Sequence, residues 1–227
     1  MIALAASSTL FPTCIVVLLS SIPLVFMLVT ELMNKTLRLV ITGNPGVGKH
    51  TCAKLVARKL RGFEIIDINK MAIANDAILT IDEKYGIDID IKKVSTLIGQ
   101  VIETSRKGLI FVGHLAPYVI NPAKISIAIV LRRSPYELVS VFEKRHYSSE
   151  KARENIASEI LGISLYDSVT SFGKSKIAEV DVTRKTPSQT SDKIIAILRK
   201  KSKPHIGFVD WLSLVHSNGD LQRFLEY

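Results

Sequence analysis

Cysteine is almost missing: Cys14 and Cys52 are the only two in 227 residues, and they stand in unrelated contexts. A disulfide framework and a cysteine-based metal site are thereby excluded, and a reducing, cytoplasmic compartment is the expected setting. Acidic residues are short as well, 21 against 30 lysines and arginines, which leaves a formal charge of +9. That surplus suits a polyanionic partner such as a nucleotide, RNA or an anionic membrane face, without choosing among them. Aromatic residues make up 7% of the chain, and nothing resembles the aromatic-lined platform on which unpaired bases stack. No internal repeat is visible. With 47% hydrophobic residues the chain can bury one sizeable core, so disorder as the main state is excluded and one compact domain is favoured.

Charge is absent altogether from residues 1–30, and Leu10 to Thr30 is an uncharged run of about 21 residues, long enough to span a bilayer. No Lys or Arg precedes the run, so it lacks the basic start of a secretory signal. Three readings stay open for residues 1–33. Met33 just before the first strand would serve as the true start; the run would be a membrane anchor; or it is an extra packed or loose segment. In the anchor reading Lys35 and Arg38 would hold the following domain on the cytoplasmic side. Stable membrane association is expected only if residues 1–32 are native. Pro12 and Pro23 weaken a straight helix there without forbidding one.

From Thr36 onward short β-branched runs alternate with longer amphipathic stretches, the pattern of an α/β domain with a parallel sheet. Strands are expected at Leu37 to Thr42, Glu64 to Asp67, Leu109 to Val112, Ile125 to Leu131 and Ala178 to Val182, five in all, the Ile125 run being hydrophobic enough for the centre of the sheet. Helices are expected over Lys49 to Leu60, weakly over Asn69 to Thr80, over Ile91 to Lys107, from Pro135 to Arg145, from Ser149 with a bend at Gly162, and from Pro187 to Lys200. Ile81 to Asp90 is acidic and reads as irregular. Ser134 with Glu137, and Thr186 with Gln189, are spaced as capping boxes around a first-turn proline. A core over residues 34–203 results, followed by a tail over 204–227 whose apolar residues suffice to dock as a short helix or two.

The chemistry concentrates at Gly43 to Thr51 (GNPGVGKHT). Gly43, Gly48 and Lys49 have the spacing of a phosphate loop, standing between a strand and a helix as its mechanism requires. Glycines let backbone N–H groups turn inward around phosphate oxygens, the helix N-terminus adds its dipole, and Lys49 reaches the outer phosphates. His50 follows Lys49 where most such loops place Ser or Thr to hold magnesium; Thr51 next to it could supply the hydroxyl. The basic run Arg199 to Lys203 reads either as a solvated helix end or as an RNA contact.

GNPGVGKHT is similar to the loops of adenylate kinases. The ordered set that follows resembles the archaeal and eukaryotic adenylate-kinase-like family that also assists maturation of the small ribosomal subunit. The set comprises Asp82-Glu83-Lys84-Tyr85 with Asp90, Val112-Gly113-His114-Leu115, Leu131-Arg132, Arg145-His146-Tyr147, Lys151 to Ile160, and Val209-Asp210-Trp211-Leu212. The resemblance implies a P-loop NTPase fold with a monophosphate-binding segment near 67–90 and a lid near 144–154. It implies ATP and Mg2+ as cofactors, AMP or another nucleoside monophosphate as acceptor, and accompanying ATP hydrolysis. Gly43, Asn44, Gly46, Val47, Gly48, Lys49, His50 and Thr51 would contact the donor nucleotide, Thr51 would face the metal, Arg145 would close over the phosphates, and His114 would sit beside the γ-phosphate. A monomer is expected, with a small-subunit ribosomal protein and pre-rRNA as further partners if a role in rRNA processing is kept. Two positions depart from the family: Val112 stands where an acid is usual, and Ile73 where several relatives have an arginine. These departures, with His50, give weight to an alternative, a nucleotide-gated ribosome assembly factor with weak or no kinase activity.

Mass spectrometry of the native protein separates the readings of residues 1–33: the internal-start reading expects an N-terminal peptide at Met33 or Asn34, the anchor reading one that begins upstream.

Overall fold

The computed structural model describes residues 37–82 and 86–225. Residues 1–36, and Glu83, Lys84 and Tyr85 of the acidic segment, lie outside them. In chain order the elements are β1 (Arg38–Thr42), α1 (Lys49–Leu60), β2 (Phe63–Asp67), α2 (Ile68–Ala74), β3 (Ile78–Asp82), β4 (Gly86–Ile89), α3 (Ile91–Thr104), β5 (Gly108–Val112), α4 (Ala116–Val119) and β6 (Ile127–Arg132). They continue with α5 (Pro135–Lys144), α6 (Ser149–Ile160), α7 (Ile163–Phe172), β7 (Ile177–Asp181), α8 (Pro187–Leu198), α9 (Trp211–Ser217) and α10 (Leu221–Leu225).

Five strands form one parallel sheet in the order β2-β5-β1-β6-β7. The strands read as nearly unbroken apolar runs because helices cover both faces. On one face α1 and α8 meet Leu39, Ile41, Ile110 and Ile129; on the other α3 and α7 meet Val40, Phe111 and Val130. The centre belongs to β1 rather than to the more hydrophobic β6, which lies between β1 and β7. Since β1 is flanked by β5 and β6, the chain crosses the sheet in opposite senses around it. The crevice at its C-terminal end is where open parallel sheets take ligands.

Three expectations are corrected. The helix expected over Asn69 to Thr80 stops at Ala74, and the segment read as irregular contains an antiparallel hairpin of β3 and β4. Ile78, Leu79, Thr80 and Ile81 form a β-prone run, and the partner strand that lets it extend lies four residues past its end. The capping box at Ser134 is also absent: its side chain makes no cap bond. Glu137 is held instead by Arg133 Nε at 2.9 Å and by the backbone N–H of Arg184 at 2.8 Å. The matching box on α8 does form, with Gln189 N donating to Thr186 Oγ1 at 3.2 Å and Thr186 N to Gln189 Oε1 at 2.9 Å.

The tail packs α9 and α10 through Val215 and Phe224 onto Leu138 and Phe142 of α5 and Ile156 and Ile160 of α6. Among the described residues no helix is long and apolar enough to cross a membrane.

Removing the cap hydroxyl with Thr186→Ala is expected to lower stability by about 1 kcal/mol in urea denaturation, with the denaturant slope unchanged.

Candidate functional site

β1 delivers the chain to Gly43, whose φ of 134° and whose approach to the Leu131 carbonyl, 2.4 Å from any added Cβ, admit no side chain. Gly46, at φ 89°, lies against α5 so closely that a Cβ would stand 2.7 Å from Leu138 Cδ2. Both constraints bend the backbone of residues 43–48 around the N-terminus of α1, presenting amide donors and the positive end of the helix dipole to one point. Lys49 folds back across this turn, its Nζ donating to the carbonyls of Gly43 and Asn44, each at 2.9 Å. It is buried, and burial first, then the nearby charge of Arg145, lowers its pKa to about 8, against the opposing pull of Glu159 and Asp67.

A cavity of about 550 Å3 opens in front of the loop, lined by Gly46, Lys49, His50, Thr51, His114 and Arg145, with Tyr147 and Asn155 on its far wall. His114, two residues beyond β5, faces this cavity. The His114 side chain is exposed to the solvent of the cleft, and partial desolvation by the cleft walls, then the Lys49 ammonium, lowers its pKa to about 4, so the imidazole is neutral at physiological pH. A smaller cavity of about 270 Å3 lies behind the loop, lined by Val47, Arg133, Lys185 and Thr190, with Gly46, Gly48, Thr51 and Arg145 shared between the two. Arg145, at the C-terminal end of α5, thus stands at the border of both. Tyr147 stacks on Phe142 with ring centroids 5.1 Å apart, and Lys151 Nζ lies 5.3 Å over the Tyr147 ring. His146, just before Tyr147, takes a φ of 54°, a left-handed conformation uncommon outside glycine.

Of the residues singled out from the sequence, Gly46, Gly48, Lys49, His50, Thr51, His114 and Arg145 are brought together around the larger cavity, while Val47 lines only the smaller. Gly43 and Asn44 line neither: Gly43 offers its carbonyl to Lys49, and the buried Asn44 side chain turns away from the loop's mouth to Glu159 Oε2, 2.7 Å away. Val112 is fully buried, and Ile73 is half exposed on α2.

Three contributors escaped the sequence reading. Asp67 ends β2 in register with Val112, so the acid missing from β5 has a neighbour on the adjoining strand. Its Oδ2 pairs with His50 Nε2 at 2.8 Å, and its Oδ1 accepts from Lys70 N at 3.1 Å, capping α2. Arg133 reaches the Gly46 carbonyl at 3.3 Å, and Glu159 anchors Asn44. The first had a usable signal, since a carboxylate at the C-terminal end of a parallel strand points toward the ligand crevice. The other two depend on contacts across the fold.

Among the described residues no group of three or more His, Cys, Asp or Glu could hold a metal ion unaided. The Thr51 hydroxyl and the Asp67 carboxylate instead suit a hard cation held mainly by phosphate oxygens and water.

The family described as an AAA domain (AAA_18) matches residues 39–162. A protein of Methanococcus maripaludis named "Putative adenylate kinase" is 35% identical over 77% of this chain and 94% of its own length. One of the same name from Methanocaldococcus jannaschii is 36% identical over 77% and 93%. Among solved structures, the tunicamycin resistance protein of Deinococcus radiodurans superposes with a TM-score of 0.52 at 13% identity, over 72% of this chain and 95% of that one. Shikimate kinase of Bacteroides thetaiotaomicron superposes with a TM-score of 0.50 at 16% identity, over 72% and 98%. Both share the P-loop fold.

Lys49 loses its proton from the free loop as pH rises through about 8, whereas phosphate oxygens in the cavity would hold that proton. Phosphate binding is therefore expected to take up a proton above that pH, and ATP affinity to fall by up to about tenfold per pH unit. Calorimetry in buffers of different ionisation enthalpy reads both effects, and Lys49→Ala removes the dependence.

Proposed function

This chain belongs to the adenylate-kinase-like family of P-loop proteins, and on that premise we propose that it is a nucleoside-monophosphate kinase that transfers the γ-phosphoryl group of ATP to AMP, with slow ATP hydrolysis when no acceptor is bound. The observation that carries this reading is that buried Lys49, neutral His114 and Arg145 line one cavity large enough for phosphates and an acceptor.

In this reading the loop amides and Lys49 bind the β and γ phosphates, as geometry and charge at a helix N-terminus favour. The smaller cavity, with Arg133 and Lys185 on its walls, takes the base and ribose of the donor. Arg145, bordering both cavities, neutralises charge that develops between donor and acceptor, the main protein contribution to phosphoryl transfer. His114 acts through its neutral imidazole, orienting the acceptor phosphate or a water by hydrogen bonding. Residues 144–154, from the end of α5 through the first half of α6, form the lid, and its closure excludes water in favour of transfer over hydrolysis. The segment from Asp67 through the β3–β4 hairpin carries the acceptor. Magnesium, which neutralises phosphate charge when bound, would be held by the phosphates with Thr51 and Asp67 beside it. Asp67 thereby supplies the acidic group that Val112 cannot. The protein is proposed to work as a cytoplasmic monomer.

His50 and Val112 favour a second reading. The His50–Asp67 pair ties up a carboxylate that the metal side would otherwise have free, which suits a nucleotide-gated factor of small-subunit maturation, binding a ribosomal protein and pre-rRNA, with reduced transfer. A coupled assay separates the two. The kinase reading expects ADP formation with ATP plus AMP well above that with ATP alone, and its loss by orders of magnitude in Lys49→Ala. Equal rates with and without AMP would leave only the second.

A further inference from the structure

The phosphate loop is anchored from behind by a buried polar network that runs to the C-terminal tail. Asn44, the second residue of the loop, donates from Nδ2 to Glu159 Oε2 at 2.7 Å and accepts at Oδ1 from Ser164 Oγ at 2.7 Å. The other oxygen of the same carboxylate, Glu159 Oε1, accepts from Arg132 Nε at 2.8 Å, from Arg133 N at 3.0 Å and from Trp211 Nε1 at 3.1 Å. Arg132 continues to Glu179 Oε1 at 2.7 Å, and Glu179 Oε2 accepts from the backbone N–H groups of Gly207 and Phe208 at 2.8 and 3.3 Å. Glu159, Arg132 and Glu179 are all buried. Two carboxylates therefore share one guanidinium, and the remaining oxygen lone pairs need neutral donors, of which the tail supplies Trp211 Nε1 and two amides. An apolar route runs in parallel. Val215 and Phe224 of the tail pack with Leu138 and Phe142, the side chains that abut Gly46.

We propose that Glu159 and Trp211 are positioning residues of the phosphate loop, so that docking of the C-terminal tail and nucleotide binding at Gly43 to Thr51 strengthen one another. The proposal rests on the nucleotide reading of the loop. Its physical content is a shared carboxylate: when the tail holds Oε1, Oε2 is fixed for Asn44, and a loop ordered by phosphate fixes Asn44 for Oε2. Coupling of this kind is reciprocal, each event favouring the other by the same factor.

Trp211 is the chain's one tryptophan, so its emission reports on the tail directly. In the full-length protein, saturating ATP is expected to shift that emission, and Asn44→Ala to reduce the shift by more than half at saturation. Trp211→Phe keeps an aromatic ring but leaves Glu159 one donor short, and is expected to raise the ATP dissociation constant about five- to tenfold by calorimetry. Ile98→Val, in the apolar core under α3, lowers stability without touching the network and should leave that constant unchanged. An emission that stays fixed while calorimetry records binding, or a Trp211→Phe constant within about twofold of the parent, overturns the coupling and leaves the nucleotide site standing. Absence of ATP binding by the parent removes the nucleotide reading, and the coupling with it.

Discussion

A guanidinium with 2% of its surface exposed, that of Arg132, lies between two buried carboxylates, and much of the molecule is arranged to make that tolerable. Removing ions from water costs several kcal/mol each, and the attraction between them offsets this only when every remaining lone pair and N–H is satisfied. Here satisfaction draws on β6, β7, α6, the phosphate loop and the tail at once. Arg132 Nη2 also bonds the Glu159 carbonyl at 2.8 Å, and Glu179 N bonds the His205 carbonyl at 2.8 Å. Burial still raises the pKa of Glu159 against the pull of Arg132. Removing one member would strand the others, so the cluster enforces one relative placement of five elements and leaves little room for alternatives.

What could be read from the sequence is what local rules govern. The loop was legible because Gly43, Gly48 and Lys49 announce a backbone geometry within seven residues, and the strand and helix on either side follow from hydrophobic period. The Thr186 box formed because both partners lie within one helical turn. The Ser134 box has the same spacing, yet Glu137 is held instead by the guanidinium of Arg133, four residues before it, and by the Arg184 amide that tertiary contact brings in. The β3–β4 hairpin was missed for a related reason, since its first strand becomes extended only when its second is present to pair with it. Glu159 and Trp211 fall within segments that carry the family resemblance, Lys151 to Ile160 and Val209 to Leu212, but nothing in either segment pairs the two. Separated by 52 residues, they meet through the docking of the tail, which no short-range spacing encodes.

The metal side of the site follows the same logic. Position 112, read alone, lacks an acid, while in three dimensions the neighbouring strand ends in Asp67 at the same register. The carboxylate is not idle there, as it also caps α2 and pairs with His50, the residue standing where a hydroxyl is usual. The two unusual positions thus answer each other across β2 and β5. The segment that would receive the acceptor is tied, through one side chain, to the first turn of the helix that would receive the donor.

Lys49 has a chemical character that its burial creates. A primary amine whose pKa is about 8 is partly unprotonated near neutral pH, while an ordinary surface lysine is almost wholly ammonium. The free loop therefore holds a fraction of neutral amine in a buried position along the cleft, where the nitrogen donates to the Gly43 and Asn44 carbonyls. Occupancy of the loop by phosphate would return the amine to its charged form. The same side chain is then a partly neutral donor to its own loop when the cleft is free and a full cation when phosphate fills it.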